Sequence, residues 1–447
     1  MTAPAPEPVT LRQASAYWFQ LGCVSFGGPA GQIALMHEEL VERRLWISEK
    51  RFLHALNYCM VLPGPEAQQL ATYIGWLMHR SWGGVIAGGL FVLPSLLLLI
   101  ALSWVYMAYG TVPVVAGLFY GIKPAVTAIV VAAAWRIGAR VLTNGWLWAI
   151  AVAAFVAIFA LKLPFPLIVL GAGVAGYLGG RFAPGRFVVG GGHDSAGKRA
   201  GPALIDDQTP TPAHARFSWR RLGRVLGVCL GLWLAGIGGL AFAFGSEAVL
   251  TQMAWFFTKA ALLTFGGAYA VLPYVYQGAV EHHHWLTGPQ MIDGLALGET
   301  TPGPLIMVVS FVGFVGGWTR AIFGADALFL SGAVAATVVT FFTFLPSFLF
   351  ILAGGPFIES THGKLGFTAP LTGITAAVVG VIVNLAVFFG YHVLWPDGLA
   401  GRFDALSAVI GIVAGIALIR FKVGVIGVVI AAGLVGVAAT FVWPFFA

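Results

Sequence analysis

The sequence predicts an all-α polytopic membrane protein made of two inverted-topology repeats with re-entrant or broken half-helices. Three observations predict it: apolar runs of membrane-spanning length, motifs that recur at a fixed distance, and loop basicity present in one copy and missing from the other. Of 447 residues, 59% are hydrophobic and 9% charged, with a mean hydropathy of +0.90. A soluble domain carries roughly 25% charged residues. Runs such as Ile86–Tyr109 and Val423–Val442 reach the roughly 20 apolar residues that cross a bilayer. They are continuously apolar, whereas barrel strands alternate. The net charge of +7 is spread over loops and reads as cytoplasmic loop bias, so no nucleic-acid partner is expected. Cys23, Cys59 and Cys229 all lie in apolar segments and read as small buried hydrophobes.

The repetition is specific. "SFGGPAG" at Ser25–Gly31 returns as "TFGGAYA" at Thr264–Ala270, so that Phe26 maps to Phe265, 239 positions on. "VERRLW" (Val41–Trp46) returns as "VEHHHW" (Val280–Trp285), and Pro63-Gly64-Pro65 as Pro302-Gly303-Pro304, both at 239. Further on, "FVLPSLLLLI" from Phe91 matches "TFLPSFLFIL" from Thr343, so that Pro94 maps to Pro346 at 252, and the second copy carries an insertion before that point. The domain reading is a first repeat over 1–181, a flexible cytoplasmic linker over 182–221, an additional helix over 222–244 and a second repeat over 249–443. The linker region is rich in Gly, Pro and basic residues, among them Arg186, Lys198, Arg199 and Arg216.

One additional crossing between the copies reverses everything after it. Arg43, Arg44, Lys50 and Arg51 lie between the first FGG and PGP, and the matching stretch from Tyr276 to Gln290 holds no Lys or Arg. The positive-inside rule places the first in the cytoplasm and the second outside. The N-terminus and linker are then cytoplasmic and the C-terminus periplasmic. Inverted repeats with discontinuous helices are the architecture of secondary transporters.

The breaks carry the chemistry. Arg51–Leu62 and the stretch from Pro65 to His79 are each too short to span, and basic residues flank both ends, so a hairpin entering from the cytoplasm fits. Proline disfavours helix in the residue before it and suits a first helical turn, so Pro63 ends one half-helix, Gly64 turns, and Pro65 starts the next. Helix N-termini inside the membrane present free N–H groups and a positive dipole end to an anion. Gly27, Gly28, Gly266 and Gly267 provide the second pair of breaks. Four helix ends are expected to converge near the midplane.

Polar residues in apolar surroundings are functional candidates by default. Asn57, Gln68, Lys123, Lys259, Thr300 and Thr301 are read as substrate-binding candidates; helix–helix hydrogen bonds and cap roles are the ordinary alternatives. Glu66, Asp293 and Glu299 are read as coupling or proton-carrying candidates, although Glu66 maps to Leu305 and has no acidic twin. His282–His284 reads as a wet loop, because structural metal sites space their ligands; no metal and no cofactor are expected. The sequence contains no phosphate-binding Walker loop, GxSxG or HExxH, so an enzyme is not expected and an ion gradient is the default energy source.

The run "SFGGPAGQIALMHEELVERRLWISEKRF" with "LPGPEAQQLATYIGW", repeated as "TFGGAYAVLPYV" with "TTPGPLIMVVSFVGF", resembles the chromate ion transporter (CHR) family in its long-chain, two-half form. The resemblance covers nearly the whole chain. It implies a bacterial inner-membrane exporter of chromate, conferring resistance and driven by membrane potential or a proton gradient, with sulfate as the natural analogue. It places Gly27, Gly28, Pro63, Gly64, Pro65, Gly266, Gly267, Pro302, Gly303 and Pro304 in the family's motif core. The alternatives are an importer of sulfate or another oxyanion, or an anion channel, of the same fold. The expected partners are the oxyanion and membrane lipid, with a homodimer left open, because small-residue spacings recur throughout a chain with 60 glycines.

Overall fold

The computed structural model describes residues 8–26, 28–187, 203–207, 209–265, 267–361 and 368–442. The first half starts with α1 (Leu11–Val24), opened by a capping box between Thr10 and Gln13. It turns back through α2 (Gly28–His37), which runs on as a π-helical turn, Glu38–Arg43. Next come α3 (Glu49–Val61), capped by Ser48, and α4 (Glu66–Tyr109), which is broken at His79-Arg80 by non-helical backbone. Then follow α5 (Pro113–Val141), α6 (Gly145–Phe159) and α7 (Phe165–Phe182). Helix α8 (Trp219–Phe244) stands between the halves.

The second half has α9 (Val249–Leu262), α10 (Ala268–Tyr276) with a π-helical turn Gln277–His282, and α11 (Gly288–Thr300), capped by Thr287. It continues through α12 (Val308–Thr319), α13 (Leu328–Thr361), α14 (Thr368–Leu394), α15 (Ala405–Ile419) and α16 (Val425–Val442). Details of the turns recur as well. The π-turns, the Ser48 and Thr287 caps, and the left-handed residues Leu45 and His284 all stand 239 positions apart. The insertion in the second copy is visible too: a tight turn at His79-Arg80 corresponds to a longer connection between α12 and α13.

Seven described helices are long and apolar enough to cross a membrane, and α6 and α15 are shorter apolar helices. Helices α1 and α9 have 14 residues each, or about 21 Å at 1.5 Å per residue, short of a bilayer core. They form the outer arms of hairpins whose tips lie inside the protein.

The halves exchange their packing partners. The hairpins of the first half share a buried cluster with Ile351, Leu352 and Ile358 of α13. Those of the second half share one with Val92 and Leu99 of α4 and with residues of α5. Helix α5 crosses α16 closely, with Gly121 against Ala432 and Gly436; α14 crosses α7 in the same way, with Gly373 against Ala172 and Gly176. Small residues let membrane helices approach this closely. Helices α4 and α13, equivalent members of the two halves, run antiparallel. Gly84 faces Leu352 and Gly88 faces Phe348, and at the far end the Trp104 ring lies 6.0 Å from Phe329.

Part of the segment expected as a flexible linker is packed. Ile205 pairs with Ile47 in a parallel bridge, with Ile205 N–H donating to Trp46 C=O at 3.1 Å and Ser48 N–H to Ile205 C=O at 3.0 Å. His214 reaches Trp76 C=O at 2.9 Å. Apolar Ile205 and Ala215 join the first half's core, which a freely solvated linker would not do. Residues 188–202 of that segment lie outside the described residues.

Candidate functional site

The breaks meet in pairs across the two halves. Gly64 N–H donates to Thr264 C=O at 2.7 Å, and Gly303 N–H donates to Ser25 C=O at 2.8 Å. These are one contact made twice, because Gly64 maps to Gly303 and Ser25 to Thr264 at the same spacing. Such reciprocal pairing is the signature of a two-fold relation. Gly64 has φ +128° and Gly303 φ +106°, backbone that only glycine adopts without strain. Gln69 Nε2 donates to Pro63 C=O at 2.8 Å and to Ser347 Oγ at 3.4 Å. Gln32 Nε2 donates to Gly303 C=O at 2.5 Å and to Ser25 C=O at 3.3 Å. Two glutamine amides thus hold the turns open without closing them with side-chain bulk.

Several polar groups at this crossing have no partner. The hydroxyls of Ser25 and Ser95 are buried and unbonded, as are the side-chain oxygens of Gln32, Gln68 and Gln69. Ser95 lies beside Gly303 and its counterpart Ser347 beside Gly64. A buried polar group left unpaired costs about 1–3 kcal/mol. Pro65 caps the first half-helix without a side-chain bond, so the N–H groups of α4's first turn have no cap at the break.

Charge around the crossing is mixed. Glu66 is half-buried and, among the described residues, makes no hydrogen bond or ion pair. Glu299 is buried and accepts from Tyr269 Oη, and Arg136 of α5 lies within electrostatic reach of both. Arg136 gives the second half's carboxylate a cation that Glu66 lacks.

Other expected residues lie elsewhere. Lys259 is exposed on the outer face of α9, its Nζ 5.9 Å from the Trp255 ring centroid, because the helix turns Phe256, Phe257 and Ala260 inward instead. Asn57 is likewise exposed, near Met60 on α3. Thr300 Oγ1 donates to Ala296 and Leu297 C=O, and Thr301 Oγ1 to Gly298 C=O. Both hydroxyl protons are therefore held by the helix that precedes the break, and neither hydroxyl caps α12. Lys123 pairs with Asp293 at 3.4 Å, and Tyr106 Oη donates to the same Asp293 oxygen at 2.9 Å. Asp293, read as a coupling candidate, is thus buried in an ion pair. Gly28 and Gly267 carry positive φ at the outer breaks, whereas Gly27 and Gly266 lie outside the described residues. His283 stacks on Trp285, and His284 bonds Val280 C=O within its own turn. Lys259→Ala is accordingly expected to leave the half-saturation for the transported anion unchanged in a concentration series of vesicle uptake.

The residues missed by the sequence reading are Ser25, Gln32, Ser95, Tyr269, Arg136 and Ser347, together with the pair Arg51–Glu359. For Ser95 and Ser347 a signal existed, since each follows the repeated Leu-Pro of the matched "LPS" segments. Tyr269 and Arg136 have no repeated counterpart and nothing in their spacing marks them.

Comparison with known proteins follows the same division of the chain. The family model for "Chromate transporter" matches residues 12–177 and 251–437. The chain is 34% identical to a chromate transport protein of Pseudomonas aeruginosa, over 97% of this chain and 94% of the relative. It is 29% identical to a chromate transport protein of Cupriavidus metallidurans, over 94% and 90%. An uncharacterized transporter of Bacillus subtilis, YwrA, is 32% identical over 136 residues; these are 30% of this chain but 76% of that protein. No solved structure matches significantly.

Proposed function

Because this chain belongs to the chromate transporter family, we propose that it is a secondary active transporter exporting chromate across the bacterial inner membrane, with resistance as the consequence. The observation that carries the reading is the reciprocal pair of backbone bonds, Gly64 to Thr264 and Gly303 to Ser25, which joins each half's PGP break to the other half's FGG break. A tetrahedral dianion suits what lies there: buried serine hydroxyls without partners and a helix N-terminus with free N–H groups.

The antiparallel run of the equivalent helices α4 and α13 supports inverted repeats. The basic cluster Arg43, Arg44, Lys50 and Arg51 supports a cytoplasmic N-terminus and linker, and the added α8 then puts the C-terminus in the periplasm. Glu66 and Glu299 are the groups assigned to proton exchange. Glu299 is balanced by Tyr269 and Arg136, whereas Glu66 would repel the anion unless protonated. Exporting two negative charges from a cell with a negative interior gains about 4.6 kcal/mol at about 100 mV, enough to favour export over uptake.

Energised everted vesicles supplied with radiolabelled chromate test the reading. Uptake that needs no ATP and collapses with the gradient is expected. Its absence, with accumulation in right-side-out vesicles instead, would favour an importer.

A further inference from the structure

Away from the crossing, two polar clusters, each around a buried carboxylate, tie one half to the other, and they are built alike. In the first, Arg51 Nη1 donates to Glu359 Oε2 at 2.7 Å and Tyr73 Oη to Glu359 Oε1 at 2.5 Å. In the second, Lys123 and Tyr106 meet Asp293. Each has one carboxylate from the second half and one cation and one tyrosine from the first. In each, the last turns of a long helix, α13 or α4, meet the helix that precedes the other half's PGP break. Because α4 and α13 run antiparallel, Glu359 and Tyr106 lie at opposite ends of that helix pair. The Glu359 cluster also sits under the packed linker, with Arg51 Nη2 donating to Thr209 C=O at 2.7 Å. The two are unequal: Glu359 has both oxygens bonded, whereas Asp293 Oδ1 is buried without a partner.

We infer that Arg51–Glu359–Tyr73 and Lys123–Asp293–Tyr106 are the two gates of the transport pathway, one at each end, each closed when its carboxylate bridges the halves. The inference rests on the two-sided transport reading but not on the identity of the anion. Interfaces with discrete polar bridges are bistable elements of the kind that switch between two arrangements. Both bridges are formed in this structure; the better satisfied gate, toward the linker, is the more firmly held, and the other, with an orphan oxygen, opens first.

Two thiols report on the gates. Native Cys59 is buried on α3 beside Tyr58, whose ring lies 5.9 Å from that of Tyr73. Ser103 is buried and unbonded on α4, between Ser95 and Tyr106, so that Ser103→Cys reports on the other side. In a Cys23→Ser/Cys229→Ser background, Glu359→Gln is expected to speed Cys59 labelling by an impermeant maleimide about tenfold in everted vesicles, leaving Ser103→Cys unaffected. Asp293→Asn should do the converse in right-side-out vesicles. The charge swap Arg51→Glu/Glu359→Arg should restore protection of Cys59. Unchanged labelling in both variants, or faster labelling of both thiols at once as a loosened fold would give, overturns the inference. Chromate is not needed for the labelling: a protein that shows the pattern but moves no chromate keeps its gates and loses the proposed substrate.

Discussion

Gly64→Val and Gly303→Val are each expected to reduce chromate flux to background while leaving the protein inserted in the membrane. Both glycines have φ beyond +100°, where a β-branched residue adds on the order of 1–3 kcal/mol of strain. Space is missing as well. A Cβ at Gly64 would lie 2.5 Å from Ser347 Oγ and 2.6 Å from Gln69 Nε2, and one at Gly303 2.6 Å from Ser95 Cβ. The groups displaced are the ones that line the crossing, so the damage falls on the site before it falls on the scaffold. Initial rates of vesicle uptake, normalised to protein in the membrane, measure the effect. Flux within twofold of the parent in both variants would separate the breaks from transport.

Arg51→Ala is expected to be the most destabilising single change among the charged residues, by about 3–5 kcal/mol, the range for breaking a buried ion pair from one side. It leaves Glu359 buried with only the Tyr73 hydroxyl, and it also removes the donor that holds Thr209 of the linker. The paired change Arg51→Met/Glu359→Leu should recover most of that stability, since no charge is then stranded. Apparent melting temperatures in detergent distinguish the two: a large fall for the single change and a small one for the pair. Equal falls would mean that the bridge holds the halves by more than charge compensation.

Much of this fold was legible because it is written twice. The spacing shared by FGG, VE(R/H)(R/H).W and PGP marked the halves, and even the π-turns and left-handed residues obey it. The short segments around PGP announced hairpins, since neither arm can span lipid. What could not be read was rotation about a helix axis. Lys259 stands near the FGG motif in sequence, yet α9 turns it outward and buries its aromatic neighbours. Lys123 and Asp293 lie 170 positions apart, and only the exchange of α4 and α5 into the second half's core brings them together. The threonines at the second break looked like free donors, but a hydroxyl near a helix C-terminus readily bonds the carbonyl one turn back. Glu359 stayed hidden because its counterpart Met107 is apolar, so repetition gave no cue.

The central claim is that an oxyanion binds at the paired breaks of the two halves, and the hydroxyls of Ser95 and Ser347 test it most directly. They are equivalent residues, each beside the other half's PGP glycine; Ser95 Oγ is unbonded, and Ser347 Oγ accepts from Gln69 while its proton stays free to donate. Equilibrium dialysis of radiolabelled chromate against the purified protein and its Ser95→Ala/Ser347→Ala variant gives the dissociation constants. Hydrogen bonds to a charged group contribute about 1.5–3 kcal/mol each, so the variant should bind at least ~100-fold more weakly. An unchanged constant in a variant of normal thermal stability would contradict the claim and place the anion elsewhere.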